Sequence, residues 1–195
     1  MNHIHRHCSR VLAVGSLMGA LCVGATVAQA QTCPSFPIAL SAQMLSSVPT
    51  NTLITGILNG DQPGNFGWLS WTGDLGEPTL GVSLTVPGDS TNYVNPDDST
   101  DHELNVGDWA AGLPGVSNRS SLRNALNNLL GVDIIVPVFD QTRDTGGTLA
   151  YQVVGFAHVQ LVDYRLPSQN RISVLFLGFT DCSGGGGGGD GGPGV

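Results

Sequence analysis

The chain has no lysine at all, and the positive charge of its 195 residues comes from seven arginines. Fifteen acidic residues bring the formal net charge to -8 at pH 7. A nucleic-acid-binding surface needs clustered Lys and Arg to neutralise phosphates, so this deficit excludes that class of partner. Charged residues are also scarce, at 11%, whereas 41% are hydrophobic, which excludes a chain that is disordered throughout. The length suits one domain with a substantial core.

Residues 1–30 are predicted to be a secretory signal peptide. Basic residues open this segment, an apolar run from Val11 to Val27 follows, and Ala28-Gln29-Ala30 offers the small side chains that a signal peptidase recognises. A retained membrane anchor is the less favoured alternative, because the run is Gly- and Ala-rich and shorter than the about 20 residues of a stable span. We therefore expect cleavage before Gln31, no stable membrane span afterwards, and a secreted, periplasmic or cell-surface protein.

Two cysteines remain after cleavage, Cys33 and Cys182, near the two ends of the region that looks folded. In an oxidising compartment such a pair predicts one disulfide bond. The bond would close nearly the whole domain into a loop, which is worth about 4–5 kcal/mol in the chain-entropy model. The alternative is a metal or redox pair, but a Cys-x-x-Cys spacing is absent and only two histidines remain.

Residues 31–182 are predicted to form a single disulfide-stapled domain that is mainly β with one packed α-helix, an α+β fold. Residues 183–195 are nearly all Gly and are expected to be a flexible tail. Runs rich in β-branched and aromatic residues, bounded by Gly, Pro, Asn and Asp, indicate the strands. The predicted strands are Thr52–Leu58, Phe66–Trp71, Leu104–Trp109, Ile134–Phe139, Leu149–Leu166 and Ile172–Phe179, and Gly155 is expected to mark a bulge in the longest of them.

One amphipathic helix is predicted from leucines that recur at helical spacing, namely Leu122, Leu126, Leu129 and Leu130. Ser117 or Ser120 can cap its start, and Gly131 fits a left-handed residue at its end. A second segment, Thr79–Val86, is compatible with either a short helix or a strand.

Four acidic residues in one polar loop are candidate calcium ligands: Asp97, Asp98, Asp101 and Glu103. Calcium takes six to eight oxygen ligands and weak sites are useful outside the cell, but the spacing here is not that of an EF-hand. A solvated polar loop is the competing interpretation. Apart from calcium we expect no cofactor, because His102 and His158 lack the spacing and partners of a zinc site.

All three tryptophans are candidate surface-binding residues: Trp68, Trp71 and Trp109. Trp68 and Trp71 are an odd number of positions apart, so on a regular strand they face opposite sides. We therefore expect one of them in the core and the other exposed, where an indole ring can stack on a sugar or a partner protein. Packing of all three in the core of a small β domain is the alternative.

No catalytic residues are predicted, and we expect the protein not to be an enzyme. The Gly-x-Ser-x-Gly motif of hydrolases is absent. Cys182 as a nucleophile with His158 as its base is an alternative, but Cys182 is expected to pair with Cys33. Asp140 and Asp144 lie on either side of a loop as a pair of carboxylates. Such pairs are common in acidic proteins and do not indicate catalysis unless they lie in a cleft.

Several segments, taken in order between about residues 60 and 165, resemble the C-terminal region of TadG-like Flp pilus-assembly proteins. They are Pro63–Leu69, Val106–Trp109, Pro114-Gly115, Leu122–Leu126, Ile135–Asp140 and Tyr151–Ala157. The set also looks like that of stand-alone secreted bacterial proteins with the same module behind a signal peptide. The resemblance implies a shared β-rich module in an envelope or extracellular setting. TadG-like proteins typically begin with a membrane anchor and many have a von Willebrand-type metal site, and neither feature is evident here.

From these observations we expect an exported, non-enzymatic structural or interaction module that acts at the bacterial cell surface or outside. Its partner would be an envelope or pilus protein, or a surface polysaccharide. Two alternatives stay open: a Tad/Flp pilus-associated assembly component, and a secreted hydrolase without a recognisable motif.

Overall fold

The computed structural model describes residues 34–62, 64–114, 119–167 and 169–182. The predicted signal peptide, Cys33 and the Gly-rich tail lie outside these residues. The strands are β1 (Ile38–Ser41), β2 (Thr52–Leu58), β3 (Phe66–Ser70), β4 (Trp109–Gly112), β5 (Asp133–Asp144), β6 (Leu149–Arg165) and β7 (Arg171–Thr180). The helices are α1 (Ala42–Leu45), α2 (Glu77–Ser83) and α3 (Ser120–Leu129), with a 3-10 turn at Ser90–Asn92.

The mainly β class is confirmed, but the described residues contain three α-helices where one was predicted. The ambiguous segment Thr79–Val86 contributes to helix α2. The predicted strand Leu104–Trp109 is wrong, because only Trp109 belongs to a strand. The preceding residues form a turn in which the Asp108 carboxylate accepts a hydrogen bond from the backbone N–H of Asn105 at 2.6 Å.

The strands form one seven-stranded mixed sheet in the order β2-β7-β6-β4-β3-β1-β5. Because β5 also pairs with β6, the five strands β6, β4, β3, β1 and β5 make a closed ring of hydrogen-bonded neighbours. A ring with an odd number of strands cannot be antiparallel throughout, and here the parallel pair is β1 with β5. Strands β7 and β2 continue the sheet beyond the ring.

Strand β6 belongs both to the closed ring and to the part of the sheet that continues beyond it. One of its edges pairs with β5 from Leu149 to Gln160. The other edge pairs first with β4 at residues 150–152 and then with β7 from Phe156 onward. The register against β5 shifts near Gly155, so the predicted bulge is confirmed. The shift changes which side chains of β6 face each side of the sheet. Before it, the odd-numbered Tyr151 belongs to the smaller apolar cluster. After it, the even-numbered Phe156 belongs to that cluster and the odd-numbered Ala157 to the larger one.

The larger apolar cluster lies between the sheet and helices α2 and α3. Helix α3 contributes Leu122, Ala125, Leu126 and Leu129, all buried. Three of the four predicted leucines are therefore confirmed, whereas Leu130 is 41% exposed because it follows the last helical turn in an extended conformation. Gly131 has a φ of 75°, the left-handed conformation that was predicted.

The predicted serine caps of α3 are not found in the described residues. Ser120 is the first residue of the helix, and Arg119 occupies the capping position without a side-chain hydrogen bond to the helix. Ser117 lies outside the described residues.

The smaller apolar cluster contains at least one side chain from each strand of the closed ring: Ala39, Leu69, Ala110, Phe139, Tyr151 and Val153. Tyr151 fills space next to two glycines on neighbouring strands. A Cβ atom on Gly67 would lie 2.3 Å from Tyr151 Cζ, and one on Gly112 would lie 2.6 Å from the Leu149 carbonyl oxygen. The ring can close around the tyrosine only because both positions lack a side chain.

We predict that Gly67→Ala destabilises the fold by about 1–3 kcal/mol or more, because the methyl group overpacks a core that cannot yield. Gly155→Ala is the matched control, since a Cβ there meets nothing within 4 Å. Urea unfolding of both variants measures the difference. Equal stability of the two variants would show that Tyr151 does not lie against Gly67.

Candidate functional site

Trp68 and Trp71 are 1% and 0% exposed, so neither offers a binding surface. The odd spacing does place them in different apolar clusters, Trp68 in the larger and Trp71 in the smaller. The expectation that one of them would be exposed is wrong, because the helices cover one face of the sheet and the closed ring encloses the other. Trp68 Nε1 donates to Asn170 Oδ1 at 2.9 Å, which fixes that indole ring at the β6–β7 connection.

Trp109 is half-buried, and its ring is covered by a cation. The guanidinium carbon of Arg143 lies 4.2 Å from the ring centroid, and the same guanidinium pairs with Asp97. A cation–π contact of this kind stabilises the pair and covers one face of the ring. Two of the three tryptophans are therefore buried, and the third has one ring face covered by a guanidinium group.

The acidic loop is organised by its own hydrogen bonds. Asn95 Nδ2 donates to Asp101 Oδ2 at 3.0 Å and to Asp108 Oδ1 at 3.3 Å. Asp98 Oδ1 accepts from both the backbone N–H and the hydroxyl of Thr100, and these bonds hold the pKa of Asp98 below its usual range. Burial raises the pKa of Asp108, with a smaller contribution from the neighbouring Asp101.

The candidate calcium ligands are not brought together. Asp97 pairs with Arg143, Asp98 binds Thr100, and the other oxygen of Asp101 accepts from the Glu103 backbone at 3.0 Å. Within residues 34–62, 64–114, 119–167 and 169–182, no three His, Cys, Asp or Glu side chains are grouped so as to hold a metal ion. The four candidate calcium ligands, Asp97, Asp98, Asp101 and Glu103, are therefore not assembled into a metal site in the described part of the chain.

A cleft of about 260 Å³ lies at one end of the strand ring. The β2–β3 connection, the residues that follow β4 and the β5–β6 hairpin form its walls. Its lining residues are Asn59, Gly60, Gly112, Leu113, Pro114, Asp144, Gly147, Thr148, Leu149 and Tyr151. Three of these are glycines, and Leu113, Pro114, Leu149 and Tyr151 make much of the wall apolar.

The hairpin wall is held in place by Asp144. Its Oδ1 accepts hydrogen bonds from the backbone N–H groups of Gly146 and Gly147, both at 2.8 Å. The bond from Gly147 and then that from Gly146 lower the pKa of Asp144, so this carboxylate stays ionised at neutral pH. The opposite wall is held by Asn59, whose Nδ2 donates to the Phe66 carbonyl at 3.2 Å and whose Oδ1 accepts from Asn170 at 3.2 Å.

Tyr151 lies at the inner end of the cleft. Its ring packs edge-on against Phe139, with 4.9 Å between centroids. Burial, and secondarily the charge of Asp61, raises the pKa of the Tyr151 phenol to about 12. The hydroxyl group therefore stays protonated at physiological pH and can donate a hydrogen bond.

The lining of the cleft contains two titratable groups, the carboxylate of Asp144 and the phenol of Tyr151. General acid–base catalysis needs groups whose pKa values lie near the working pH. The two titratable groups of the lining are moved away from neutrality in opposite directions, since the pKa of Asp144 is lowered and that of Tyr151 is raised. Asp140, the predicted partner of Asp144, lines a different and smaller recess with Asp61 and does not reach the cleft.

The other predicted residues contribute no site. His102 Nδ1 lies 3.2 Å from the Tyr93 carbonyl in the acidic loop, whereas His158 is exposed on β6. Cys182 is buried in the smaller cluster, and Cys33 lies outside the described residues. Sequence reasoning missed the cleft because its walls come from three distant segments.

No family model, no curated protein and no solved structure matches this chain. Of the helices in the part of the chain that the structure describes, none combines the length and apolar character needed to cross a membrane.

We predict that Asp144→Asn lowers the melting temperature at pH 7, because a neutral amide accepts the two glycine N–H bonds more weakly than a carboxylate. The pKa of Asp144 is lower in the folded protein than in the unfolded chain, where it is about 3.9. The stabilisation is therefore present at pH values above about 3.9 and is lost as the pH falls through the pKa of the folded state. The difference between the native chain and the variant should therefore shrink below about pH 4.

Thermal melts between neutral pH and strong acid measure the difference. Asp140→Asn is the control, at an exposed carboxylate of the same strand. A difference between the native chain and Asp144→Asn that is independent of pH would contradict the role assigned to the Asp144 charge.

Proposed function

We propose that the chain is an exported, non-enzymatic interaction module that acts at the bacterial cell surface or outside the cell. The cleft beside Tyr151 is the observation that supports this function best. It combines walls fixed by hydrogen bonds, a largely apolar lining and a protonated phenol, and its two ionisable groups are unsuited to proton transfer near neutral pH.

Export is proposed from the first 30 residues and from the cysteine pair. The disulfide between Cys33 and Cys182 belongs to this proposal. Cys182 is 4% exposed and packs in the same cluster as Ala39, on the first strand after Cys33. A covalent link there would tie the start of β1 to the end of β7, and an oxidising compartment is where such a bond persists.

A role in a Tad/Flp pilus system is the second candidate, and it rests on the resemblance alone. Most of the distinctive side chains of that resemblance are buried, among them Phe66, Trp68, Leu126, Val136 and Phe156. Buried positions specify packing and do not contact partners. The resemblance therefore supports a shared β-rich module more directly than it supports a shared partner.

One experiment tests export first and binding second. The chain is expressed in the producing bacterium, and its intact mass is measured in the medium and in each cell fraction, with and without reduction. We expect the form that begins at Gln31 outside the cytoplasm, with a mass about two daltons higher after reduction because two thiols form from one disulfide. Recovery only inside the cell with residues 1–30 attached would contradict the proposal.

The recovered protein is then labelled and its binding to intact producing cells is measured. Thr148→Trp places an indole in the cleft and should reduce binding by about tenfold or more, as expected when a central contact is blocked. Val82→Trp adds the same group at a position of α2 that is 62% exposed and lies outside the cleft, and should bind like the native chain. Equal binding by all three proteins would show that the cleft is not the site.

A further inference from the structure

A second recess, with a volume of about 460 Å³, lies on the sheet face formed by β2, β7 and β6. We call it the arginine groove. Its lining includes Leu53 and Thr55 from β2, Arg171 and Ser173 from β7, and Val162 and Arg165 from β6. This face is opposite the larger apolar cluster, because Ile54, between Leu53 and Thr55, packs against that cluster from the other side. The arginine groove shares no lining residue with the cleft.

Two of the five arginines in the described residues lie directly opposite each other in this groove. Arg165 on β6 is the cross-strand partner of Arg171 on β7. Like charges at such positions destabilise a pair of strands. The placement is notable in a chain whose formal net charge is -8.

The negative charge within the groove does not balance this pair. Among the lining residues the only carboxylate is Asp163, whose Oδ2 lies 3.7 Å from Arg165 Nε. Both side chains of that ion pair are more than half exposed, at 66% and 57%, so water screens their attraction. Arg171 donates to the neutral side-chain oxygen of Gln169, and its Nε is buried without a hydrogen-bond partner. The second guanidinium group thus has no carboxylate partner in the groove.

We propose that the arginine groove binds the carboxylate group of a sugar acid within an acidic polysaccharide. The guanidinium groups of Arg165 and Arg171 line the same groove, and a guanidinium group suits a planar carboxylate, which accepts paired N–H bonds. The hydroxyl group of Thr55 lies in the same lining and suits a sugar hydroxyl, whereas the Ser173 hydroxyl accepts a hydrogen bond from the Gly56 backbone N–H at 3.1 Å. Leu53 and Val162, 50% and 43% exposed, offer apolar contacts for the face of a sugar ring. The inference rests on this groove alone and does not depend on the cleft.

The shape of β2 favours a sugar over an extended peptide. A peptide that joins a sheet pairs along the edge of its end strand, and β2 is such a strand. However, the register of β2 against β7 shifts between Ile54 and Ile57, and irregularities of this kind blunt an edge against added strands. The groove instead crosses the face of three strands, where a ligand without a β backbone can lie.

Calorimetric titration of the full chain with trigalacturonate at low salt tests the proposal. We expect saturable binding, and we expect Arg165→Gln and Arg171→Gln each to weaken it by about tenfold, as loss of a charge-assisted hydrogen bond does. Arg123→Gln is the matched control, because it removes the same charge from an exposed position of α3 outside the groove, and it should bind like the native chain.

A second measurement separates ligand binding from a structural role. Removing one of two opposed charges should leave the melting temperature of Arg165→Gln unchanged or raise it, whereas a structural arginine would lower it on removal. Lack of binding to trigalacturonate, or equal weakening by Arg123→Gln, would overturn the proposal. Equally tight binding of a triglutamate peptide would overturn the sugar assignment in favour of an acidic peptide. None of these outcomes depends on whether the cleft at Thr148 binds a ligand or on whether the protein is exported, so this proposal and the proposed function can fail separately.

Discussion

The pairing of β6 along both of its edges is the constraint on which the rest of the structure depends. Its first half closes a ring through β4 and β5, and its second half extends the sheet through β7. The ring closes around Tyr151 only because Gly67 and Gly112 leave room for its side chain. The register shift near Gly155 then turns the later side chains of β6 toward the helices. One strand thus provides side chains to both apolar clusters.

The positions of the cleft and of the arginine groove follow from this arrangement. The cleft lies where the ring ends, and its inner limit is the tyrosine that fills the ring. The arginine groove lies where the sheet continues past the ring, on a face that none of the described helices covers. Most acidic residues of the long loop are occupied in turn hydrogen bonds and in the pair with Arg143, which leaves the recesses as the surfaces suited to ligands. The proposed recognition is therefore placed at the recesses and not at the tryptophans or the acidic loop.

Local patterns in the sequence predict the local parts of this fold. The bulge near Gly155 and the leucine face of α3 depend on neighbouring residues; the bulge is confirmed, and so are three of the four leucines. The ring depends on contacts between distant segments, such as Leu40 with Val138, which no periodicity reveals. Burial of both Trp68 and Trp71 follows from that closure. Spacing also cannot show whether an acidic side chain points at a shared ion or at its own backbone, as Asp98 and Asp101 do.

Native-state hydrogen exchange tests the closed ring most directly. If β6, β4, β3, β1 and β5 unfold as one unit, the slowest amides of the short strands β1 and β4 should exchange with the same free energy as those of β5 and β6, close to that of global unfolding. Their exchange should also depend on denaturant to the same degree. Exchange of β4 at a much lower free energy, independent of denaturant, would contradict the account, because β4 would then be a loosely attached edge and the ring would be open.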